Sequence, residues 1–512
     1  MESLSSGLLY GFSVALTPEN LFACLMGVLL GTLVGVLPGI GPLGAMALLI
    51  PVTFTFNATT AIILMAGIYY GAMYGGSTTS ILVNVPGEAT SVITALDGYQ
   101  MAKKGRAGAA LTVAAVGSFI AGTLGIIGLQ FFAPKLAAIA LSFSAPEYFA
   151  LTLVGLLFLS RLGGGSLVRA FLMIGLGLLL GTVGMEKLSG ISRFTFGNVQ
   201  LSQGIQFVPV AMGLFGITEV LVIAEQVTSS PAVARVKFRE LFPNSEEWAR
   251  SLPAMFRGTG AGFFVGLVPG PAGVLSTFLS YSLEKRVSRH KEEFGKGAIE
   301  GVAGPEAANN AASAGAMIPL LALGIPFAPA TAMLLGALMI HGVQPGPLMI
   351  EERPDVFWGV VASMYVGNVA LLLLNLPLVG LFANLLRVPK HMLMTVVVVL
   401  CLVGAYSVNN SVLDIAVLVG MGIMGYVLRK IGFDLAPLVL ALVLGPMMER
   451  TMCQTMIMAN GDPSYLLSRP ITVVLLLLGL TALALPPLVK FVIRRGHTAP
   501  RPTGGSDTGS IG

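Results

Sequence analysis

The chain has 512 residues, of which 55% are hydrophobic and 10% charged, and its mean hydropathy is +0.86. Soluble domains carry about 25% charged residues, so a soluble enzyme or binding domain is excluded as the bulk of the chain and an all-α polytopic membrane protein is expected. The net charge of +5 makes no case for nucleic acid, because Lys and Arg fall in short loops between apolar runs, a pattern that orients helices in a bilayer.

From the N-terminus, MESLSSGLLYGFSVALTPEN lacks the basic n-region and small-residue cleavage site of a secretory signal and is expected to belong to the mature chain. The first apolar stretch, Leu21 to Phe54, carries a glycine ladder at Gly27, Gly31 and Gly35 that ends in Pro38-Gly39. Glycine at every fourth position leaves one helix face bare, so that another backbone can approach closely. Proline then removes a backbone donor and stops the helix. A helix broken at membrane depth needs protein or a water-filled cavity around it. The ladder recurs at Gly258, Gly262 and Gly266, ending in Pro269-Gly270. Paired breaks in two halves of a chain point to a transporter's binding region. Between Gly258 and Tyr281 each arm is about a dozen residues long, too short to span. A re-entrant helical hairpin is predicted there and, by correspondence, at Leu21 to Phe54.

Each hairpin is followed by polar sequence in apolar surroundings, Tyr69 to Gly105 and Gly304 to Ala332. Within them, Gly75-Gly76-Ser77-Thr78-Thr79 and Asn309-Asn310-Ala311-Ala312-Ser313 are each expected to open a half-helix. Its unpaired N–H groups and positive dipole end would suit a carboxylate. The predicted substrate-binding residues are therefore Gly76, Ser77, Thr78, Thr79, Asn309, Asn310 and Ser313. Unwound carbonyls, side-chain amides and carboxylates suit a hard cation such as Na⁺. They give Gly39, Gly41, Asn84, Glu88, Gly270 and Glu306 as predicted cation-binding residues. Glu88 and Glu306 equally fit helix caps at an interface, and single Ser, Thr or Asn residues equally fit helix packing. Asp97 is expected to cap or pair beside the basic loop that follows it.

The basic loops Lys103–Arg106, Thr228–Arg257 and Glu284–Lys296, with smaller clusters at Arg161, Arg169, Arg387, Lys390, Arg429, Lys430, Arg494 and Arg495, should share the cytoplasmic face. Lys187 and Arg193 fall on the other side. Four crossings fit near 107–131, 147–160, 166–184 and 205–225, and five near 356–386, 391–408, 411–428, 434–448 and 470–491. This threading divides the chain into a first repeat, 1–227, a cytoplasmic basic linker, 228–257, a second repeat, 258–493, and a disordered tail, 494–512. It places the N-terminus outside, the C-terminus inside, and the repeats in inverted topology. One marginal helix more or fewer would change that parity.

No HExxH, GxSxG or Walker-type loop is present, and the four histidines have no metal spacing. An enzyme is not expected, nor a cofactor beyond co-transported Na⁺ or H⁺. Cys24, Cys401 and Cys453 read as small hydrophobes rather than a disulfide or metal framework.

The segments GVLPGIGPLGAMALLIP, YYGAMYGGSTTSILVNVPGEATSVITALDGYQMAKKGRAGAAL and GPEAANNAASAGAMIPLLALGIP resemble the large membrane subunit of bacterial tripartite tricarboxylate transporters. The resemblance runs from about Leu21 to Lys490. It implies a secondary carrier in the bacterial inner membrane, importing citrate-like tricarboxylates, dicarboxylates or related organic anions by Na⁺ or H⁺ symport. It further implies a small four-helix membrane subunit and a soluble periplasmic solute-binding protein as partners. The alternative is a passive anion pore, because re-entrant hairpins also build selectivity filters.

Overall fold

The computed structural model describes residues 2–37, 41–162, 166–186, 188–225, 241–378, 390–481 and 483. Nearly all of this is helix. In chain order the first half holds α1 (Glu2–Ala15), α2 (Pro18–Gly35), α3 (Gly41–Leu49), α4 (Ala58–Val83), α5 (Val92–Lys103), α6 (Ala107–Ala140), α7 (Ala145–Leu162), α8 (Leu167–Gly181) and α9 (Phe207–Glu225). The second half holds α10 (Ser245–Gly266), α11 (Ala272–Val287), α12 (Glu300–Leu323), α13 (Pro329–Ile340), α14 (Pro354–Asn375), α15 (Lys390–Asn409), α16 (Val412–Lys430), α17 (Ala436–Met458) and α18 (Pro470–Thr481). A single antiparallel strand pair, Gly184–Met185 with Ser192–Arg193, interrupts the connection from α8 to α9. Among the described residues, seven helices (α2, α4, α6, α9, α14, α16 and α17) are long and apolar enough to cross a bilayer. The chain is an all-α polytopic membrane protein.

The core is the pair α4 and α12. Every residue of α12 is buried, as is every residue of α4 from Thr59 to Val83. The glycine ladders explain how they are covered. A methyl group on Gly27, Gly31 or Gly35 of α2 would collide with the backbone carbonyl of Leu64, Ile68 or Ala72 of α4. On Gly258, Gly262 or Gly266 of α10 it would collide with the carbonyl of Gly304, Ala308 or Ala312 of α12. The α12 partners each lie 240 residues after their α4 counterparts (304 against 64, 308 against 68, 312 against 72). The two ladders therefore build one packing unit twice, in the same register.

The same offset continues past both core helices. Asn84 ends α4 in the left-handed conformation at φ 57°, and Gly324 ends α12 at φ 72°. Asparagine and glycine are the residues that tolerate this region best. Pro86 and Pro326 follow, and a hydroxyl closes each turn. Ser91 Oγ accepts from the Glu88 N–H at 3.4 Å and donates to the Glu88 carbonyl, while Thr331 Oγ1 accepts from the Ala328 N–H at 3.0 Å and donates to the Ala328 carbonyl. Met73 and Ser313, also 240 apart, touch one another through an Oγ–Sδ contact of 2.6 Å. Four residues further along α4, Ser77 meets Glu306, which precedes Ser313 on α12. The order of contacts makes α4 and α12 antiparallel where they cross.

Three expectations change here. Helix α4 runs unbroken through Gly75–Thr79, and α12 runs unbroken through Asn309–Ser313. Neither segment opens a half-helix, and their backbone N–H groups are spent inside the helices. The breaks fall later, at Asn84–Glu88 and Gly324–Ala328. Second, the arms of the second hairpin are 22 and 16 residues long, not a dozen, because the polar stretch before Gly258 is already helical. Third, α10 consequently begins inside the segment 228–257, at Ser245, behind a capping box in which Asn244 Oδ1 accepts from the Glu247 N–H and Glu247 accepts from the Asn244 N–H. Residues 228–240, 494–512 and Pro38-Gly39 lie outside the described residues. The predicted crossings after Arg106 and Asp355 coincide with α6–α9 and α14–α18, with 379–386, 482 and 484–491 outside the described residues. At the N-terminus, α1 packs on α14, where Gly7 and Gly11 leave room for Trp358.

Ion pairs gather where the basic loops meet α10–α12. Arg106 pairs with Glu247, Arg250 with Glu293 and Glu300, and Arg257 with Glu284. Asp97 is fully buried on α5 and accepts from the Gly297 and Ala298 N–H groups and the Tyr281 hydroxyl, at 2.7, 2.9 and 2.9 Å. It is a cap, tying α5 to the start of α12. Glu284 is fully buried while Arg257 is 36% exposed. Breaking a buried pair costs about 3–5 kcal/mol; with one partner half in solvent, Arg257→Ala should destabilise by about 2 kcal/mol. A lowered thermal midpoint in detergent, largely recovered by adding Glu284→Gln, checks this.

Candidate functional site

The turn of the second hairpin and the two helix breaks converge on α4 and α12. Gly270, at the turn between α10 and α11, donates its N–H to the Phe327 carbonyl at 2.7 Å, which ties the second hairpin to the second break. At the first break, Glu88 stands over Gly76 of α4, whose missing side chain leaves room for Glu88 Cγ, and beside Gly41 at the start of α3. Glu88 Oε1 accepts from the Asn309 amide at 3.2 Å and from the Thr90 hydroxyl. Asn309 is 1% exposed, and its own Oδ1 has no hydrogen-bond partner among the described residues. Gly273, in the first turn of α11, lies against both Thr90 and Asn309. This cluster joins the break of one repeat to the core helix of the other.

A second polar group lies on the adjoining faces of the same two helices. Glu306 is one turn before Asn309 on α12, and accepts from Ser77 on Oε2 and from Thr94 of α5 on Oε1. Thr78, Tyr74 of α4 and Ser118 of α6 line a small cavity beside it. Tyr74 donates to Asn368 Oδ1 of α14 at 3.1 Å. Among the described residues no Lys or Arg pairs with Glu88 or Glu306; the ion pairs lie elsewhere. Two uncompensated carboxylates thus sit at the centre of a membrane protein, where ionisable groups are costly and mark binding pathways.

The predicted substrate and cation residues are redistributed by this geometry. Gly41, Gly76, Glu88 and Asn309 come together in the first cluster, with Thr79 beside it, since Thr79 Oγ1 lies next to Gly87. Ser77, Thr78 and Glu306 form the second. Asn310 turns away to donate to Ser118 Oγ at 2.7 Å, and Ser313 donates to the Asn309 carbonyl and Met73. Asn84 is exposed and acts as a helix terminator, and Gly270 braces the turn. Gly39 lies outside the described residues. Thr90, Thr94 and Tyr74 were inside the polar segment without being singled out, and their spacing held no signal. Ser118 and Asn375 are isolated polar residues in apolar helices, a pattern that marks either packing or a pathway. Three other acidic residues have structural partners: Glu219 pairs with Arg429, Asp414 accepts from Asn409, and Asp434 caps Ala436.

Comparison with known proteins decides the family. The profile of the tripartite tricarboxylate transporter TctA family matches residues 21–440. The chain belongs to that family. An Agrobacterium vitis protein described as "Uncharacterized 52.8 kDa protein in TAR-I ttuC' 3'region" is 49% identical over 493 residues, covering 96% of this chain and 98% of the relative. A second from the same organism, "Uncharacterized protein in TAR-II ttuC' 3'region", is 46% identical over 231 residues, covering 45% of this chain and 96% of the relative. No solved structure matches. Within the TctA family match lie both ladders, both breaks and both carboxylate clusters, so the family resemblance and the site rest on the same residues. A TctA-family chain is a membrane component of tricarboxylate transport.

Proposed function

We propose that the chain is the substrate-translocating subunit of a cation-coupled importer of citrate-like tricarboxylates, dicarboxylates or related organic anions in a bacterial inner membrane. It would receive substrate from a periplasmic solute-binding protein and work with a small four-helix membrane subunit. The observation that carries the reading is the half-buried Glu88–Asn309 cluster, where the first helix break meets α12 with no basic partner among the described residues. An anion there would meet amide and hydroxyl donors and the first turns of α3 and α11, while co-bound cations would offset the carboxylate.

In this reading the basic face is cytoplasmic. The α2–α3 hairpin enters from the periplasm, α10–α11 from the cytoplasm, and the repeats have inverted topology. The antiparallel crossing of α4 and α12 at equivalent residues, Met73 and Ser313, supports that arrangement. The two hairpins with α4, α5, α12 and α13 would move as the substrate-bearing unit against the outer helices, in the manner of inverted-repeat carriers.

The test is uptake of radiolabelled citrate, dicarboxylates and other organic acids by proteoliposomes holding the chain, the small subunit and the binding protein. Saturable uptake that needs a cation gradient and the binding protein is expected. Uptake without either, or unitary currents in bilayer recordings, would establish the pore reading instead. Asn310→Ala should lower uptake less than Asn309→Ala, because Asn310 serves the α6–α12 contact.

A further inference from the structure

The cavity beside Glu306 carries a feature that transport of an organic acid does not need. Asn375 closes α14 and is 5% exposed; its Nδ2 donates to the Leu371 carbonyl at 2.9 Å. Asn375 lines the same cavity as Glu306, and its Oδ1 has no hydrogen-bond partner among the described residues. Buried amide oxygens are nearly always paired, so an orphan on a residue that shares a cavity with a buried carboxylate calls for a ligand there. The cavity volume is about 20 Å³. That admits one water-sized particle, which needs roughly 10–15 Å³, and no organic acid.

We infer that this cavity binds one dehydrated monovalent cation of the size of Na⁺, at a site separate from the Glu88–Asn309 cluster. The polar residues lining the space are Tyr74, Ser77, Thr78, Ser118, Glu306 and Asn375, which bring four hydroxyls, a carboxylate and an amide whose Oδ1 is unpaired among the described residues; Thr94 adds its hydroxyl on Glu306 Oε1. Hard cations take such ligands, and no thiolate or imidazole is present to favour a softer metal. One carboxylate balances one positive charge and leaves a divalent ion under-neutralised. The hydroxyls of Ser77 and Thr94 now donate to Glu306 but can rotate to present lone pairs. Ser77, Thr94 and Glu306 belong to the proposed substrate-bearing unit, while Ser118 and Asn375 belong to the outer helices α6 and α14, so motion of one against the other would open or close the site. Gly76 and Ser77 are consecutive on α4, and Glu306 and Asn309 are one turn apart on α12. A cation here would therefore order the helices that form the Glu88 cluster. Only that transport consequence rests on the proposed carrier role; cation binding belongs to the chain itself.

The experiment is equilibrium binding of radioactive sodium to the purified full-length chain in detergent, with choline holding ionic strength constant. A Glu88→Gln background removes the other carboxylate cluster from the count. Saturable sodium binding is expected, weakened at least roughly tenfold by Glu306→Gln and by Asn375→Leu. Thr94→Val removes only a hydroxyl and serves if Asn375→Leu does not give monodisperse protein. Unchanged affinity in the folded variants would overturn the site. So would proton uptake that depends on Glu306 without sodium binding, which leaves only a buried water in this cavity. Failure of the carrier role would look different: sodium binding intact, with no cation-dependent uptake of any acid.

Discussion

Gly262→Leu is expected to abolish folded protein, whereas Gly260→Leu, two residues away on the same helix, is expected to be tolerated. The difference lies in what each side chain meets. At Gly262 even a methyl group would run into the Ala308 backbone of α12, and a backbone cannot rotate aside as a side chain can. At Gly260 nothing stands within 4 Å of the same position. Overpacking of a core costs about 3 kcal/mol or more when the obstacle is rigid, and Ala308 belongs to the most buried helix of the molecule. Gly35→Leu should fail equally, since its obstacle is Ala72 in the matching register of α4. The readout is the monodisperse fraction on size-exclusion chromatography and the thermal midpoint of what is recovered. Equal recovery of Gly262→Leu and Gly260→Leu would mean that the ladder faces lipid.

Glu88→Gln should retain assembly and lose transport. Its shape is unchanged, but the charge that holds the Asn309 amide and the Thr90 hydroxyl disappears, along with the charge a coupling cation would balance. Loss of a charge-assisted pair in this half-buried site should lower substrate uptake by about 100-fold, equivalent to about 2.7 kcal/mol. Asn84→Gly gives the contrast. If Asn84 serves only to end α4 in the left-handed conformation, glycine fills that role and uptake should stay near the parental level. Uptake lost in Asn84→Gly but kept in Glu88→Gln would move the cation site from the Asn309 junction to the exposed helix end.

The glycine ladders and the breaks after them were legible because they depend on backbone stereochemistry. Glycine at every fourth residue and Pro-Gly at the end have few other uses within apolar sequence. The membrane class followed as directly from composition. The half-helix openings at Gly75–Thr79 and Asn309–Ser313 were misread for a physical reason. Gly75 is there for close approach to Thr32 of α2, not to release the helix, and local propensity cannot distinguish the two uses. The start of α10 was hidden because SEEWARSLPAMFR is not apolar; its arginines are satisfied by glutamates from α11, α12 and their connection.

By itself, then, the sequence determined what is local or additive: an apolar helical chain, two ladders, two interrupted segments, and the polar stretches from which a site is drawn. It also carried the family. Tertiary structure alone decided which residues meet. Glu88 reaches Asn309 across 221 positions of chain, Ser77 reaches Glu306 across 229, and Asn375 lines the Glu306 cavity from a third helix. Those partners are chosen by the register in which bare glycine faces lock α2 onto α4 and α10 onto α12. That register is a property of two surfaces in contact, and neither surface specifies it alone.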